Sequence, residues 1–139
     1  MIWTLKVTLV SGIYSTGPCV RVIEIESSAT LEDLHLVIQQ AVDFDDDHLY
    51  EFYYARTARS RERVRFDDEN GELFNRTLDT LFPLPKDRKL FYLFDYGDSW
   101  LFSVERTRKA PHEPTAGVRY PQLIESIGDN PEQYPGADE

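Results

Sequence analysis

The stretch Asp95-Tyr96-Gly97-Asp98-Ser99-Trp100 is the densest polar motif in the chain. Two carboxylates three residues apart can share a cation or serve as acid and base. Turn chemistry explains the same residues without any reaction. Asp95 and Asp98 can accept backbone N–H bonds, Gly97 supplies a positive φ, and Trp100 can anchor a hairpin in the core. No histidine or cysteine adjoins the turn in sequence to complete a ligand set. Asp43-Phe44-Asp45-Asp46-Asp47-His48 carries acids at the first, third and fifth positions of a calcium loop. It has His48 where that loop needs glycine and Tyr54 where it needs glutamate, so it reads as a solvated acidic loop. His35, His48 and His112 show neither an HxH nor an HExxH spacing, and zinc is not implied. Cys19 has no nearby His or Asp partner to make it a catalytic thiol. The expectation is a chain with no catalytic residue, no metal and no cofactor.

The sharpest anomaly is the run Arg56, Arg59, Arg61, Arg63 and Arg65. Against it stands only Glu62 within residues 55–66, a net +4 in a chain whose total is −10, which leaves −14 elsewhere. Guanidinium forks suit phosphate or carboxylate, and Tyr53 and Tyr54 could stack bases. The alternative is an exposed loop whose arginines pair with the chain's own acids, including Asp67, Asp68 and Glu69. The acidic background opposes nucleic acid within about a Debye length of the surface.

The elements that must hold these residues follow from periodicity. Met1 to Val10 alternates, with Trp3, Leu5, Val7 and Leu9 on one face, and Val20 to Glu26 is β-branched; both read as strands. Ser11 to Pro18 is the turn between them. Thr30 is a good N-cap with Asp33 three residues on, and Leu34, Val37, Ile38 and Ala41 give the i, i+3, i+4, i+7 stripe of a helix ending near Asp43. Leu49 to Tyr54 is an aromatic strand, and Ala55 to Asn75 is a long solvated excursion. Leu78 to Phe82 is a short turn stopped by Pro83 and Pro85. Leu90 to Asp95 and Trp100 to Thr107 form a hairpin about the Asp95–Trp100 motif. After Lys109 no periodicity survives, so 1–109 reads as the folded domain and 110–139 as an irregular tail packed on or near it. The order of elements predicts an α+β, ubiquitin-like β-grasp: a mixed sheet of about five strands over one main helix.

Composition sets the outer limits. The 139 residues are 41% hydrophobic and 13% aromatic, enough for a real core. One cysteine excludes an intramolecular disulfide framework. No apolar run approaches 18 residues, and Met1–Val10 lacks a basic region followed by an apolar block, which predicts a cytoplasmic chain with no membrane partner.

Several of these blocks resemble a known family. Leu34-His35, Ile38-Gln39, Ala41 and His48-Leu49-Tyr50-Glu51-Phe52 form one. Thr77-Leu78-Asp79-Thr80-Leu81 followed by Phe91-Tyr92-Leu93-Phe94-Asp95-Tyr96-Gly97-Asp98-Ser99-Trp100 is similar to the signature LSDLL…F.Y.YDFGDSW. Gly117-Val118-Arg119-Tyr120-Pro121 is a third. Together they resemble the family named after open reading frame three of an Ri plasmid, whose members are described as passengers of plasmids and insertion elements. Phe102 stands where that family usually has a histidine, and the cysteines it often carries after the Tyr-Pro are missing here. The resemblance implies a β-grasp-like fold and an association with mobile elements, and no reaction.

The expected function is a non-enzymatic protein-binding module, with Asp95, Tyr96, Asp98, Trp100, Tyr120 and Pro121 on the surface that meets a protein partner. Two alternatives remain. One is a nucleic-acid-binding accessory of DNA transposition acting through Arg56 to Arg65. The other is an acidic DNA mimic that occupies a host defence protein.

Overall fold

A computed structural model describes residues 1–135 of the chain. Its elements in order are β1 (Ile2–Ser11), β2 (Val20–Glu26), α1 (Leu31–Val42), β3 (Tyr50–Ala55), β4 (Val64–Phe66), α2 (Glu72–Asn75), α3 (Leu78–Leu81), β5 (Lys89–Phe94), β6 (Trp100–Arg106) and β7 (Gln122–Ile127). The strands form one sheet in the order β4-β3-β5-β6-β1-β2-β7. Every neighbouring pair is antiparallel.

This overturns the β-grasp expectation. The sheet has seven strands rather than about five, it is not mixed, and the helices are few and short: 12 residues in α1 and four each in α2 and α3. The reason lies in three pairings that periodicity does not report. The β5–β6 hairpin feeds β6 back antiparallel beside β1, with Val7 opposite Val104. Val64-Arg65-Phe66, inside the supposed solvated excursion, pairs with Phe52–Tyr54 as β4. Gln122–Ile127, inside the supposed irregular tail, pairs with β2 as β7. Residues 136–139 of that tail lie outside the described residues.

The core sits where α1 crosses one face of the sheet. Leu31, Leu34, Ile38 and Val42 of the helix join Leu5, Ile23, Phe52, Phe94 and Trp100 in one buried cluster. Helix entry is fixed by a complete capping box: Thr30 Oγ1 accepts from the Asp33 amide at 3.2 Å, and the Asp33 carboxylate accepts from the Thr30 amide at 2.9 Å. Helix exit falls at Asp43, in the left-handed region at φ 57°. On the opposite face Tyr53, Ala55 and Phe91 make a smaller cluster, against which Ala58, Leu93 and Leu101 pack. The arginine-bearing loop folds onto this second face, because Tyr53 Oη donates to the Ala58 carbonyl at 2.8 Å.

One buried cation ties β2, the end of β7 and the segment after it to the helix. Arg21 on β2 is 2% exposed. It donates from Nε to Ala41 O at 3.1 Å, from Nη1 to Val20 O at 2.9 Å and Ile127 O at 3.1 Å, and from Nη2 to Asn130 Oδ1 at 2.6 Å. The Ala41 carbonyl is one of the orphan acceptors at the C-terminal, negative end of α1, where a cation is favourably placed.

Candidate functional site

The Asp95–Trp100 turn is built for backbone geometry. Asp95 and Ser99, rather than Gly97 as expected, are in the left-handed region at φ 63° and 55°, and Asp95 Oδ1 accepts from the Gly97 amide at 3.0 Å and the Asp98 amide at 3.3 Å. Asp95 and Trp100 are buried, at 6% and 0% exposure, while Tyr96 is 45% exposed. Trp100 anchors the hairpin from inside the core, with its ring 5.0 Å from that of Phe44. Partial burial and the Asp95 carboxylate hold the Asp98 carboxyl above the usual range.

The acidic loop and the tail close over this turn, an association that sequence spacing does not show. His48 Nε2 lies 2.8 Å from Tyr134 Oη and 3.4 Å from Asp95 Oδ2. Tyr134 Oη donates to Asp47 Oδ2 at 2.7 Å, and that bond pushes its pKa up to about 12. The result is a small cleft lined by Tyr14, His48, Asp95, Asp98, Tyr134 and Pro135. Among the described residues, no group of three or more His, Cys, Asp or Glu side chains is arranged to hold a metal ion.

His35 on α1 is 1% exposed and sits in a chain of polar groups. Its Nδ1 is 2.5 Å from Tyr92 Oη, its Nε2 is 2.9 Å from Asp46 Oδ1, and Gln39 Nε2 donates to the same Tyr92 oxygen at 2.9 Å. Tyr50 stacks on the imidazole, rings 3.6 Å apart, and donates to Glu32. One tautomer accounts for these three bonds and leaves the buried Gln39 Oε1 without a partner among the described residues. Gln39 donates to Tyr92, Tyr92 donates to Nδ1, and Nε2–H donates to Asp46. Burial lowers the His35 pKa against the opposing pull of Asp46, and burial raises that of Tyr92 well above its ordinary value. An Asp-His-Tyr relay of this kind resembles a general-base assembly, but Tyr92 is 0% exposed and no substrate atom can reach its oxygen. Its role is to position the helix over the sheet.

The arginine run divides in two. Arg65 donates to both carboxylate oxygens of the buried Glu51, at 2.8 and 3.1 Å, and Arg63 lies 4.1 Å over the Tyr53 ring. These two hold the loop on the sheet. Arg56, Arg59 and Arg61 are exposed and make no ion pair among the described residues. Arg56 lines a groove of about 820 Å³ at the end of the sheet where β5 begins and β6 ends, together with Lys86, Arg88, Lys89 and Arg106, whose guanidinium lies 3.8 Å over the Trp3 ring. Those four cations belong to β5, β6 and the loop before β5, and the local cue to them is Lys86-Asp87-Arg88-Lys89, three cations in four residues.

Tyr120 and Pro121 lie on the opposite side of the molecule. With Leu36, Val37 and Gln40 of α1 they line a cleft of about 440 Å³, beside the start of β7. Pro121 leads into an edge strand whose Leu123, Ile124 and Ile127 are 44%, 44% and 50% exposed. The structure therefore does not gather the hairpin residues and the Tyr-Pro pair into one surface.

The sequence model of the plasmid pRiA4b ORF-3-like proteins matches residues 1–137. The chain belongs to that family. A curated relative in the family's company is the "uncharacterized protein y4hQ" of Sinorhizobium fredii, 30% identical over 108 residues, which cover 76% of this chain and 53% of the relative. The chain thus spans about half the length of that relative. Among solved structures, the protein of unknown function MM3350 from Methanosarcina mazei Go1 superposes with a TM-score of 0.70 at 26% identity, covering 90% of this chain and 68% of that one. The family is plasmid-associated and prescribes no activity. Among the described residues no helix is long and apolar enough to cross a membrane.

Proposed function

We propose that this member of the plasmid pRiA4b ORF-3-like family is a non-enzymatic protein-binding module that takes an extended segment of its partner along the free edge of β7. The observation that carries this reading is the state of that edge. β7 is terminal in the sheet, six residues long, and exposes three aliphatic side chains with Glu125 as its one charge. Exposed sheet edges are usually blunted by lysine, proline or short length, because their free N–H and C=O groups template another strand. Six residues offer about 20 Å of ladder, a usual span for strand addition. The cleft between α1 and Tyr120-Pro121 opens beside the first residue of that edge and has room for a flanking side chain of the partner.

Deletion of residues 110–139 would strip β7 from β2 and is a poor test, so point variants are preferred. The experiment is affinity capture from the native host with quantitative mass spectrometry, comparing the wild-type chain, Ile124→Pro, Leu123→Lys with Ile127→Lys, and Ile13→Lys as a control on an exposed site elsewhere. A partner held by the wild type and Ile13→Lys but lost from both edge variants, with circular dichroism unchanged, supports the reading. A partner set indifferent to the edge variants rejects it.

A further inference from the structure

The groove of about 820 Å³ at the end of the sheet where β5 begins and β6 ends departs from the molecule's overall charge. Five cations line it, Arg56, Lys86, Arg88, Lys89 and Arg106, the last with its guanidinium 3.8 Å over the Trp3 ring, against two acids, Asp87 and Glu105. It is therefore net +3 in a chain of net −10. None of the five forms an ion pair with a carboxylate among the described residues, although the chain has 25 acids. Of the arginines and lysines among the described residues, only Arg65, on Glu51 and Asp67, and Lys109, on Glu24, form such pairs. What sets the groove apart is the number of cations from three chain segments gathered in it against two acids, and an anion supplied from outside is what their charge lacks.

We propose that this groove binds single-stranded nucleic acid. Three chain segments bring its cations together: the end of β3, the Phe82–Lys89 loop and the end of β6. A strand with one phosphate per nucleotide can meet them in turn, and the exposed Arg59 and Arg61 prolong the track along the same loop. Between the cations the lining is apolar, from Phe82, Pro83 and Leu84, which gives bases a surface to lie on. A run of carboxylates would satisfy the rim and leave that floor unused. A duplex keeps its bases stacked inside and could not reach it. The site is built on β3, β5 and β6, away from the β7 edge at the end of the sheet order, so it does not depend on the protein-docking reading.

The probe is a fluorescein-labelled oligo(dT) of about 12 nucleotides, within the span of known single-strand sites, read by anisotropy with the full chain. Four phosphate contacts give a log–log salt slope of about −2.8, which lowers affinity about 50-fold for a fourfold rise in salt. The combined Lys86→Gln, Arg88→Gln and Lys89→Gln variant changes only loop and strand-end side chains. It should weaken binding at least tenfold and flatten the slope by about 2, while Arg119→Gln leaves both unchanged. Absence of binding at about 20 mM salt overturns the proposal, as does an unaltered slope in the triple variant. Equal affinity for polyglutamate of the same length, or competition by thymidine monophosphate at the oligomer's own concentration, would also overturn it.

Discussion

Replacing Arg21 by methionine tests how the chain is held together, because methionine keeps an unbranched stem and removes the guanidinium. The loss can be worked from the contacts. The bond to Ala41 O is buried, and leaving that acceptor unsatisfied costs about 1–3 kcal/mol. The acceptors Val20 O, Ile127 O and Asn130 Oδ1 are only partly buried and recover much of their bonding from water, so each adds about 0.5 kcal/mol. Relief of the buried charge offsets part of the total, and the net expectation is about 3 kcal/mol. For a domain of this size each kcal/mol moves Tm by about 3–5 °C, so Tm should fall by about 10 °C. The loss has an address as well as a size. Amide hydrogen exchange should accelerate most at the end of α1 and in β7, and least in β3 and β5, which Arg21 does not touch. Arg119→Met on the exposed tail should stay within about 0.5 kcal/mol of wild type. An Arg21→Met protein with the wild-type Tm, or with β7 amides no faster than before, would refute the assignment of Arg21 as the clasp between helix and terminal strand.

Two further outcomes follow from the same structure. Gly128 has φ +82°, and a Cβ added there would lie 1.9 Å from the Pro18 carbonyl oxygen, which is fixed backbone. Gly128→Ala should therefore destabilise by about 2 kcal/mol or more and raise exchange in β7, measured by thermal melts and hydrogen exchange. The histidines set opposite pH dependences. His35 titrates below its unfolded value of about 6.5, so its share of stability is complete above that pH and declines as pH falls. His112, raised chiefly by its bond to Glu24, has stability that is complete below about pH 6.5 and is lost as pH rises through its folded pKa. NMR should place the His35 midpoint below about 6.5 and the His112 midpoint above it, and His112→Gln should steepen the fall in stability from about pH 7 to 5. Reversed midpoints would contradict both environments.

The elements with strong periodicity were legible in the residues: the alternation of β1, the capping box of α1 and the β5–β6 hairpin all stand where patterning puts them. What patterning could not supply was direction and late pairing. β4 is three residues long with Val64 and Arg65 exposed, and β7 is exposed along almost its whole length, so neither has the buried alternation that marks a strand. The β-grasp expectation failed on these two strands and on the orientation of β6. The polar groups followed the same rule. Asp95 with its own turn amides is a local contact and could be anticipated, whereas His35 meets Tyr92 across 57 residues. Likewise the arginine run was visible as composition, but its division into clasping and exposed members depends on Glu51 and on the face of Tyr53.

The pairing of β2 with β7 has a consequence during synthesis. Ninety-five residues separate Glu26 from Gln122, and the ribosome adds roughly 5–20 residues per second. The β2 edge, and the Arg21 guanidinium beside it, therefore wait roughly 5 to 20 s for the strand that covers them. During that interval every nascent chain presents an open, β-branched edge, a template on which another strand can pair.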